Sequence, residues 1–326
     1  MPDATSTADY SKVGVTKRTN QDEHFKQTVA RLEQIQGQFT SFPRNSRLKG
    51  KVCVITGVGS LKGIGDSGGN IRRASAIKYA HEGAQHLYLL DFDGSNLPDL
   101  KSTIQKAYPD VKVTTIQADA SDEEAIAGVC KQALQEEGRL DVFFANAGVS
   151  THQHLHDIGS EQFMKTLKIN VLSCFLAVKF ASAAMQKTNA SRGKELSGGS
   201  IILTASVAGL QSGAGTLDYS ASKAAVVNMA KTAPYQLQKT GIRVNAICPG
   251  LIETGMTTTT FEYAKTRGTH AKIGQLNPLG RYGIAQEIAN VALFLASDDA
   301  SYVNGAAYAV DGGLSASLPV APGRWA

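Results

Sequence analysis

Val52-Cys53-Val54-Ile55 is an unbroken apolar run that stops at Thr56-Gly57, and a strand of that kind must be covered on both of its faces. Comparable runs recur at Leu87–Leu90, Val111–Gln117, Val142–Phe144, Ile201–Leu203, Val244–Ile247 and near Ala307–Val310. Between them lie stretches of helical periodicity: Arg73–Glu82, Leu97–Ala107, Asp122–Glu136, part of Ser160–Met185, a helix from Tyr219 and one near Gln286–Ala296. Strand and helix in regular alternation predict an α/β fold, a doubly wound parallel sheet with helices on both faces. Ligands in that architecture bind beyond the carboxyl ends of the strands. The residues that follow each apolar run are therefore the ones that can carry chemistry.

The sequence of 326 residues is long enough for one such domain with an appendage at either end. Residues 48–313 are expected to form the domain, 1–47 an extension and 314–326 a tail. The first twenty residues are polar, a composition that predicts disorder. Phe25, Val29, Leu32, Ile35 and Phe39 then recur at helical spacing and predict a short amphipathic helix. Its apolar stripe is expected to pack on the main domain or across an oligomer interface. Eight basic and five acidic residues in 1–50 account for +3 of the net charge of +5. No basic block with interleaved aromatics is present, which argues against nucleic acid as a partner. Cys53, Cys130, Cys174 and Cys248 are scattered and expected to be free, buried thiols. The sequence shows neither an evident apolar run of membrane-spanning length nor a secretory leader, so no membrane association and a cytoplasmic location are the expectations.

The strand-end residues form a series. Thr56-Gly57-Val58-Gly59-Ser60-Leu61-Lys62-Gly63-Ile64-Gly65 follows the first strand, and its glycines allow backbone N–H groups to approach a pyrophosphate. Asp91 ends the second strand, where a carboxylate can accept both hydroxyls of an adenosine ribose and repel a 2′-phosphate. That favours NAD(H), with NADP(H) not excluded; the plainer account of Asp91 is a cap on the next turn. Asp119 is placed to touch an adenine edge, or it or Ser121 caps the helix that follows. Asn146-Ala147-Gly148 puts small residues after the fourth strand. Pro249-Gly250-Leu251-Ile252-Glu253-Thr254 would set backbone and Thr254 beside a nicotinamide amide.

Tyr219 and Lys223 are four apart on one predicted helix, so phenol and ammonium share a face. A phenol that exchanges protons near neutrality needs help, since its ordinary pKa is about 10. A cation about 4 Å away supplies about 4 kcal/mol at an effective dielectric near 20. Ser206, thirteen residues upstream, could hold the oxygen of an alcohol or ketone beside that phenol. Tyr-x-x-x-Lys alone is common. Its order after the glycine turn, Asp91, Asn-Ala-Gly, the helix residue Asn170 and Ser206, and before Pro-Gly, is what gives it weight.

Together these residues resemble the short-chain dehydrogenase/reductase family over about Leu48–Gly313, including the closing Val303-Asn304-Gly305…Val310-Asp311-Gly312-Gly313. The resemblance implies a seven-stranded Rossmann sheet and hydride transfer between a nicotinamide and a secondary alcohol or ketone. It makes Tyr219 the acid/base, Ser206 the clamp on the substrate oxygen and Lys223 the ribose ligand and assisting charge. Asn170 would hold a water that relays protons from Lys223. The family implies a homodimer or homotetramer.

Two features depart from the family pattern. Asp66-Ser67-Gly68-Gly69-Asn70-Ile71-Arg72 reads as a seven-residue insertion before the helix at Arg73, although Gly69–Arg72 could instead stand in the loop's place with Arg72 on a phosphate. Pro234 interrupts the helix from Tyr219 and removes the hydrogen bond to the Ala230 carbonyl, at a cost of about 3 kcal/mol if the helix stays straight. These departures motivate an alternative, a non-redox catalyst or scaffold on the same fold. His152, His154 and His156 lack a carboxylate partner at metal spacing, so no metal is expected and contact with substrate is the better role. Gly255–Gln275 is expected to cover the substrate. The substrate expected is a small or medium lipophilic molecule.

Overall fold

The computed structural model describes residues 21–41, 44–59, 71–151 and 153–317. Seven parallel strands form the central sheet: β1 (Val52–Thr56), β2 (His86–Asp91), β3 (Lys112–Gln117), β4 (Val142–Ala145), β5 (Gly199–Thr204), β6 (Ile242–Pro249) and β9 (Ala307–Val310). Their order is β3-β2-β1-β4-β5-β6-β9. Two further strands, β7 (Ile252–Glu253) and β8 (Gly283–Ile284), pair only with each other. The chain winds one way from β1 to β3 and the other way from β4 onward, so the order reverses between β1 and β4. A crevice opens at that switch point, beyond the strand ends.

Alternation along each strand builds two cores. On one face Val54, Phe143, Ile201 and Val244 pack with α4 (Glu123–Glu137), α6 (Ser173–Met185) and α7 (Leu217–Gln236). On the other, Cys53, Ile55, Leu89, Phe144 and Ile202 pack with α2 (Ile71–His81), α3 (Leu97–Ala107) and α9 (Ala285–Ala296). All four cysteines are free and buried.

Several local expectations are corrected. Ile71 and Arg72, read as the end of an insertion, open α2; Asp66–Asn70 lie outside the described residues. The cap of α4 is neither Asp119 nor Ser121 but Asp122, whose carboxylate accepts from the Ala125 N–H. Pro234 sits in the last turn of α7, which runs on to Gln236. α5 (Ser160–Leu167) continues through a π turn at Lys168–Leu172 into α6. By length and composition that continuous run, Ser160–Met185, is apolar enough to cross a bilayer, contrary to expectation. Its apolar residues Leu176, Ala177, Ala181 and Met185 are spent on the core.

The helix of the extension, α1 (Gln21–Ser41), lies against α9 and the 3₁₀ turn His270–Lys272. Leu32 is buried there, and the Phe25 ring stands edge-on to His270 with centroids 4.9 Å apart. The side chain of Phe39 lies outside the described residues, as do the first twenty residues. α8 (Thr258–Thr266) and the His270–Lys272 turn make up the expected cover segment.

The amino edge of the sheet is locked by charge. Asp141 accepts the Val52 N–H at 2.9 Å and two guanidinium N–H bonds from Arg139 at 2.8 and 2.9 Å, with the carboxylate almost wholly buried. This single side chain therefore ties the start of β1 to the start of β4. Asp141→Ala is expected to destabilise the fold by about 3 kcal/mol, because Nε and Nη2 of Arg139 and the Val52 N–H all lose their acceptor in a buried site. Urea unfolding measures it, and a change below about 1 kcal/mol would contradict this role.

Candidate active site

A cavity of about 1050 Å³ opens at the carboxyl end of the sheet. Asn146, Gly148, Ser206, Tyr219, Lys223, Pro249, Gly250, Ile252 and Thr254 line it, so nine of the sequence-derived site residues meet in one place. Gly57, Asp91, Asp119, Ala147 and Asn170 do not line it. Gly63, Ile64 and Gly65 lie outside the described residues, as does His152.

Tyr219 enters from the first turn of α7. No hydrogen bond engages its hydroxyl among the described residues, and the Lys223 ammonium stands 5.6 Å from its ring centroid, one turn along. Lys223 is buried, and its ammonium donates to the Thr204 carbonyl at the end of β5 at 2.8 Å. Ser206 caps the 3₁₀ turn Val207–Gly209, with Oγ accepting the Ala208 N–H at 3.1 Å. An oxygen that accepts there still has its own proton to donate into the cavity.

Two glycines that the sequence did not single out make this convergence possible. A Cβ on Gly209 would fall 2.6 Å from the Lys223 carbonyl carbon, so only glycine lets the Ser206 turn rest on α7. A Cβ on Gly215 would meet the Tyr219 ring at 2.7 Å. Both lie in short Gly-containing loops, a composition too common to mark them in advance.

Asn170 stands behind the wall, fully buried in the π turn. Its amide donates to the Val149 carbonyl and the Ser222 hydroxyl, each at 2.9 Å, and its carbonyl oxygen accepts the Val149 N–H at 2.8 Å. Ser222 in turn donates to the Tyr219 carbonyl at 2.6 Å. Both amide protons of Asn170 are thus spent on protein, and a water could reach its side chain only through the remaining lone pair of Oδ1. A scaffold that pins the Val149 strand end to α7 is what the geometry displays.

At the dinucleotide side, Gly57 has φ +79°, and both Gly57 and Val58 donate to the Leu90 carbonyl. Asp91 accepts the Gly59 N–H at 2.6 Å on one oxygen and the Asp93 N–H at 2.9 Å on the other. Each oxygen keeps a lone pair for a hydroxyl. Asp119 is committed to a turn, accepting the Ser121 N–H and hydroxyl on one oxygen at 2.8 and 2.7 Å. Thr56 Oγ1 accepts the N–H groups of Asn146 and Ala147 at 3.1 and 3.2 Å, while the Thr204 hydroxyl donates to Asn146 Oδ1. The Asn146 amide nitrogen is buried with no partner among the described residues. Gly250 owes its identity to packing, since a Cβ there would sit 2.7 Å from Asp311 Cα.

The cavity is lined further by Ser150, Thr151, His154, Leu155 and Leu251, and by Met256 and Thr260 of the cover. Leu314, assigned in advance to the tail, closes the wall. No group of three His, Cys, Asp or Glu that could hold a metal ion occurs among the described residues. Burial pushes the Cys248 thiol up to about 11 and Cys130 up to about 12, and raises Cys53 and Cys174 as well, so no thiolate competes with the phenol.

A family model described as enoyl-(acyl carrier protein) reductase matches residues 63–315. Levodione reductase of Leifsonia aquatica is 35% identical over 282 residues, covering 85% of this chain and 98% of the relative. The 3-oxoacyl-(acyl-carrier-protein) reductase of Thermotoga maritima is 35% identical, covering 82% and 99%. Meso-2,3-butanediol dehydrogenase of Serratia marcescens is 31% identical, covering 83% and 97%. The crystal structure of levodione reductase superposes with a TM-score of 0.72 at 33% identity, covering 83% of this chain and all of that one. A short-chain type dehydrogenase/reductase from Mycobacterium marinum gives 0.68 at 29% identity, covering 84% and 98%. The sheet order, the Ser206, Tyr219 and Lys223 wall and these relatives agree: the chain belongs to the short-chain dehydrogenase/reductase family, oxidoreductases acting on CH–OH groups.

Proposed function

We propose that this protein interconverts a secondary alcohol and a ketone on a small or medium lipophilic molecule, with Tyr219 as general acid/base and NAD(H) as the preferred cofactor. The observation that carries the proposal is that a Tyr219 hydroxyl with no partner among the described residues, the Lys223 ammonium and the Ser206 hydroxyl share one cavity wall. Ser206 donates to the substrate oxygen and holds it against the phenol. Tyr219 gives that oxygen a proton in reduction and takes one in oxidation, and the nearby ammonium stabilises the phenolate left behind. Leu155, Leu251, Met256 and Leu314 offer apolar surface to the rest of the substrate.

The residues fit a nicotinamide dinucleotide. The partnerless Asn146 amide nitrogen at the cavity wall wants an acceptor from a bound group. Asp91 would take the ribose hydroxyls, Gly57 the approach of the pyrophosphate, and Gly148, Pro249, Gly250, Ile252, Thr254 and Lys223 the nicotinamide end. The cofactor supplies or accepts the hydride. The alternative of a non-redox catalyst or scaffold finds less support, because the catalytic wall stays assembled around the cavity. A homodimer or homotetramer would cover the exposed Met164 and Phe175 on the α5–α6 face.

Tyr219→Phe removes the proton donor while leaving the dinucleotide contacts in place. Turnover of a secondary alcohol or ketone should fall by about 10²–10⁴-fold, with cofactor affinity by fluorescence titration within about twofold of the parent. Retained turnover would refute the assignment. Asp91→Asn keeps an acceptor oxygen but loses the charge that repels a 2′-phosphate. The ratio of kcat/KM for NAD(H) over NADP(H) should drop about tenfold, and an unchanged ratio would remove Asp91 from cofactor selection.

A further inference from the structure

Behind the cavity wall, in the first turn of α7, lies a carboxylate that the reaction proposed above does not use. Asp218 is fully buried, and Thr166 of α5 donates its hydroxyl to Oδ2 at 2.7 Å. Thr151 Oγ1 lies 2.8 Å from Oδ1 and 3.1 Å from Oδ2. Burial pushes this carboxyl up, but the hydroxyls of Thr166, Thr216 and Thr151 and the Tyr219 N–H outweigh it and hold the group below the usual carboxylate range. It is therefore an anion, and an ionised carboxylate only accepts.

That fixes the direction of the protons around it. Each threonine has a single hydroxyl proton. Thr151 must point its own at Asp218, since the reverse would set lone pairs against an anion at 2.8 Å. Thr151 Oγ1 also stands 2.8 Å from Thr216 Oγ1, and the single Thr216 proton is spent within this cluster, on Thr151 or on the carboxylate itself. Both threonines line the cavity, whereas Asp218 lies behind them. What Thr216 Oγ1 can offer a bound molecule is lone pairs alone.

We propose that the Thr151–Thr216 wall recognises substrate through a hydrogen-bond donor, so that the preferred substrate is an alcohol or ketone bearing a second hydroxyl, with Asp218 as the positioning residue that sets this polarity. The inference rests on the alcohol–ketone reading and narrows its substrate class to largely apolar molecules with that extra donor. An ether or a second carbonyl of similar shape brings lone pairs to lone pairs and is disfavoured.

A six-membered cyclic vicinal diol and its monomethyl ether test this, because one O–H separates them. The full chain is titrated with each by ligand-observed NMR, and kcat/KM is measured for each with NAD⁺. The diol should bind and turn over about tenfold better than the ether. Asp218→Asn can donate through its amide and so free the threonine protons to reverse; the ratio should then shrink to within about twofold. That change is isosteric, so it cannot come from the size of the methyl group. Thr216→Val should flatten the ratio as well, and Thr216→Ser should keep it. Equal or undetectable binding of the two rings by the parent protein, or a ratio that neither Asp218→Asn nor Thr216→Val alters, overturns the inference. A binding preference without turnover would leave it standing and sink the alcohol–ketone reading instead, whereas turnover of both rings without preference would do the reverse.

Discussion

The Lys223 ammonium is buried beside a cavity and its charge is met by a backbone carbonyl, Thr204 O at 2.8 Å, rather than by a carboxylate. A buried cation next to an anion would be neutralised by it, and its field at the phenol would be largely cancelled. Held by a dipole, it stands 5.6 Å from the Tyr219 ring centroid with no counter-ion among the described residues. The carbonyl that holds it ends β5, so the position of the charge is set by the sheet itself. The Ser206 turn begins two residues further on, and Gly209 lets it close onto the backbone of the helix that carries Lys223. One strand end thus places the Lys223 ammonium, the Ser206 hydroxyl and, through α7, the Tyr219 phenol.

Much of this was legible in the chain. The alternating apolar runs predict the strands and helices that are found, and four-residue spacing puts Tyr219 and Lys223 on one face. The strand-end rule selects Asn146, Gly148, Ser206, Pro249 and Thr254 for the cavity. What escaped notice depends on contacts distant in sequence. Asp218 reads as an ordinary acidic residue in a helix's first turn, and only the packing of α5 and the Val149–Thr151 segment reveals Thr166 and Thr151 on its carboxylate. Gly209 and Gly215 owe their meaning to atoms on α7 that no local pattern announces. The π turn that carries Asn170 follows from no propensity in Lys168–Leu172, and the side-chain partners it creates are distant in sequence. The helix start at Ile71 shows the reverse error, in which a loop was extended into residues that α2 absorbs.

The Gly255–Gln275 segment at the cavity wall is gripped from two sides that are far apart in the chain. Phe25 of α1 meets His270 on its outer surface, and Gly312 and Gly313 abut Asn277 and Pro278 just past its far end. Leu279 donates its N–H to the Gly312 carbonyl, and Gln211 reaches across to the Ser315 carbonyl. Residues outside the α/β core therefore help to shape the cavity. Leu314 lines the cavity because the Asp311 carboxylate folds the chain back by accepting the N–H groups of Gly313 and Ser315.

Several carboxylates at the amino edge of the sheet are met by charge, whereas the charges around the cavity at its carboxyl edge are met by dipoles. At the amino edge Asp141 pairs with Arg139, Glu137 with Lys112 and His86, and Glu82 with Arg47, each anion meeting a cationic or ionisable partner. At the carboxyl edge Lys223 is met by a carbonyl, Asp218 by hydroxyls, and Asp91 and Asp311 by backbone N–H groups. A counter-ion settles a charge and removes its field, which suits an edge whose task is to hold register. A dipole stabilises a charge without cancelling it, and leaves it able to orient a hydroxyl, repel a phosphate or steady a phenolate. Such groups are costlier to bury than paired ones, since each depends on several well-aimed partners. The cost falls at the end where the cavity lies, which is where unneutralised charge can act on a ligand.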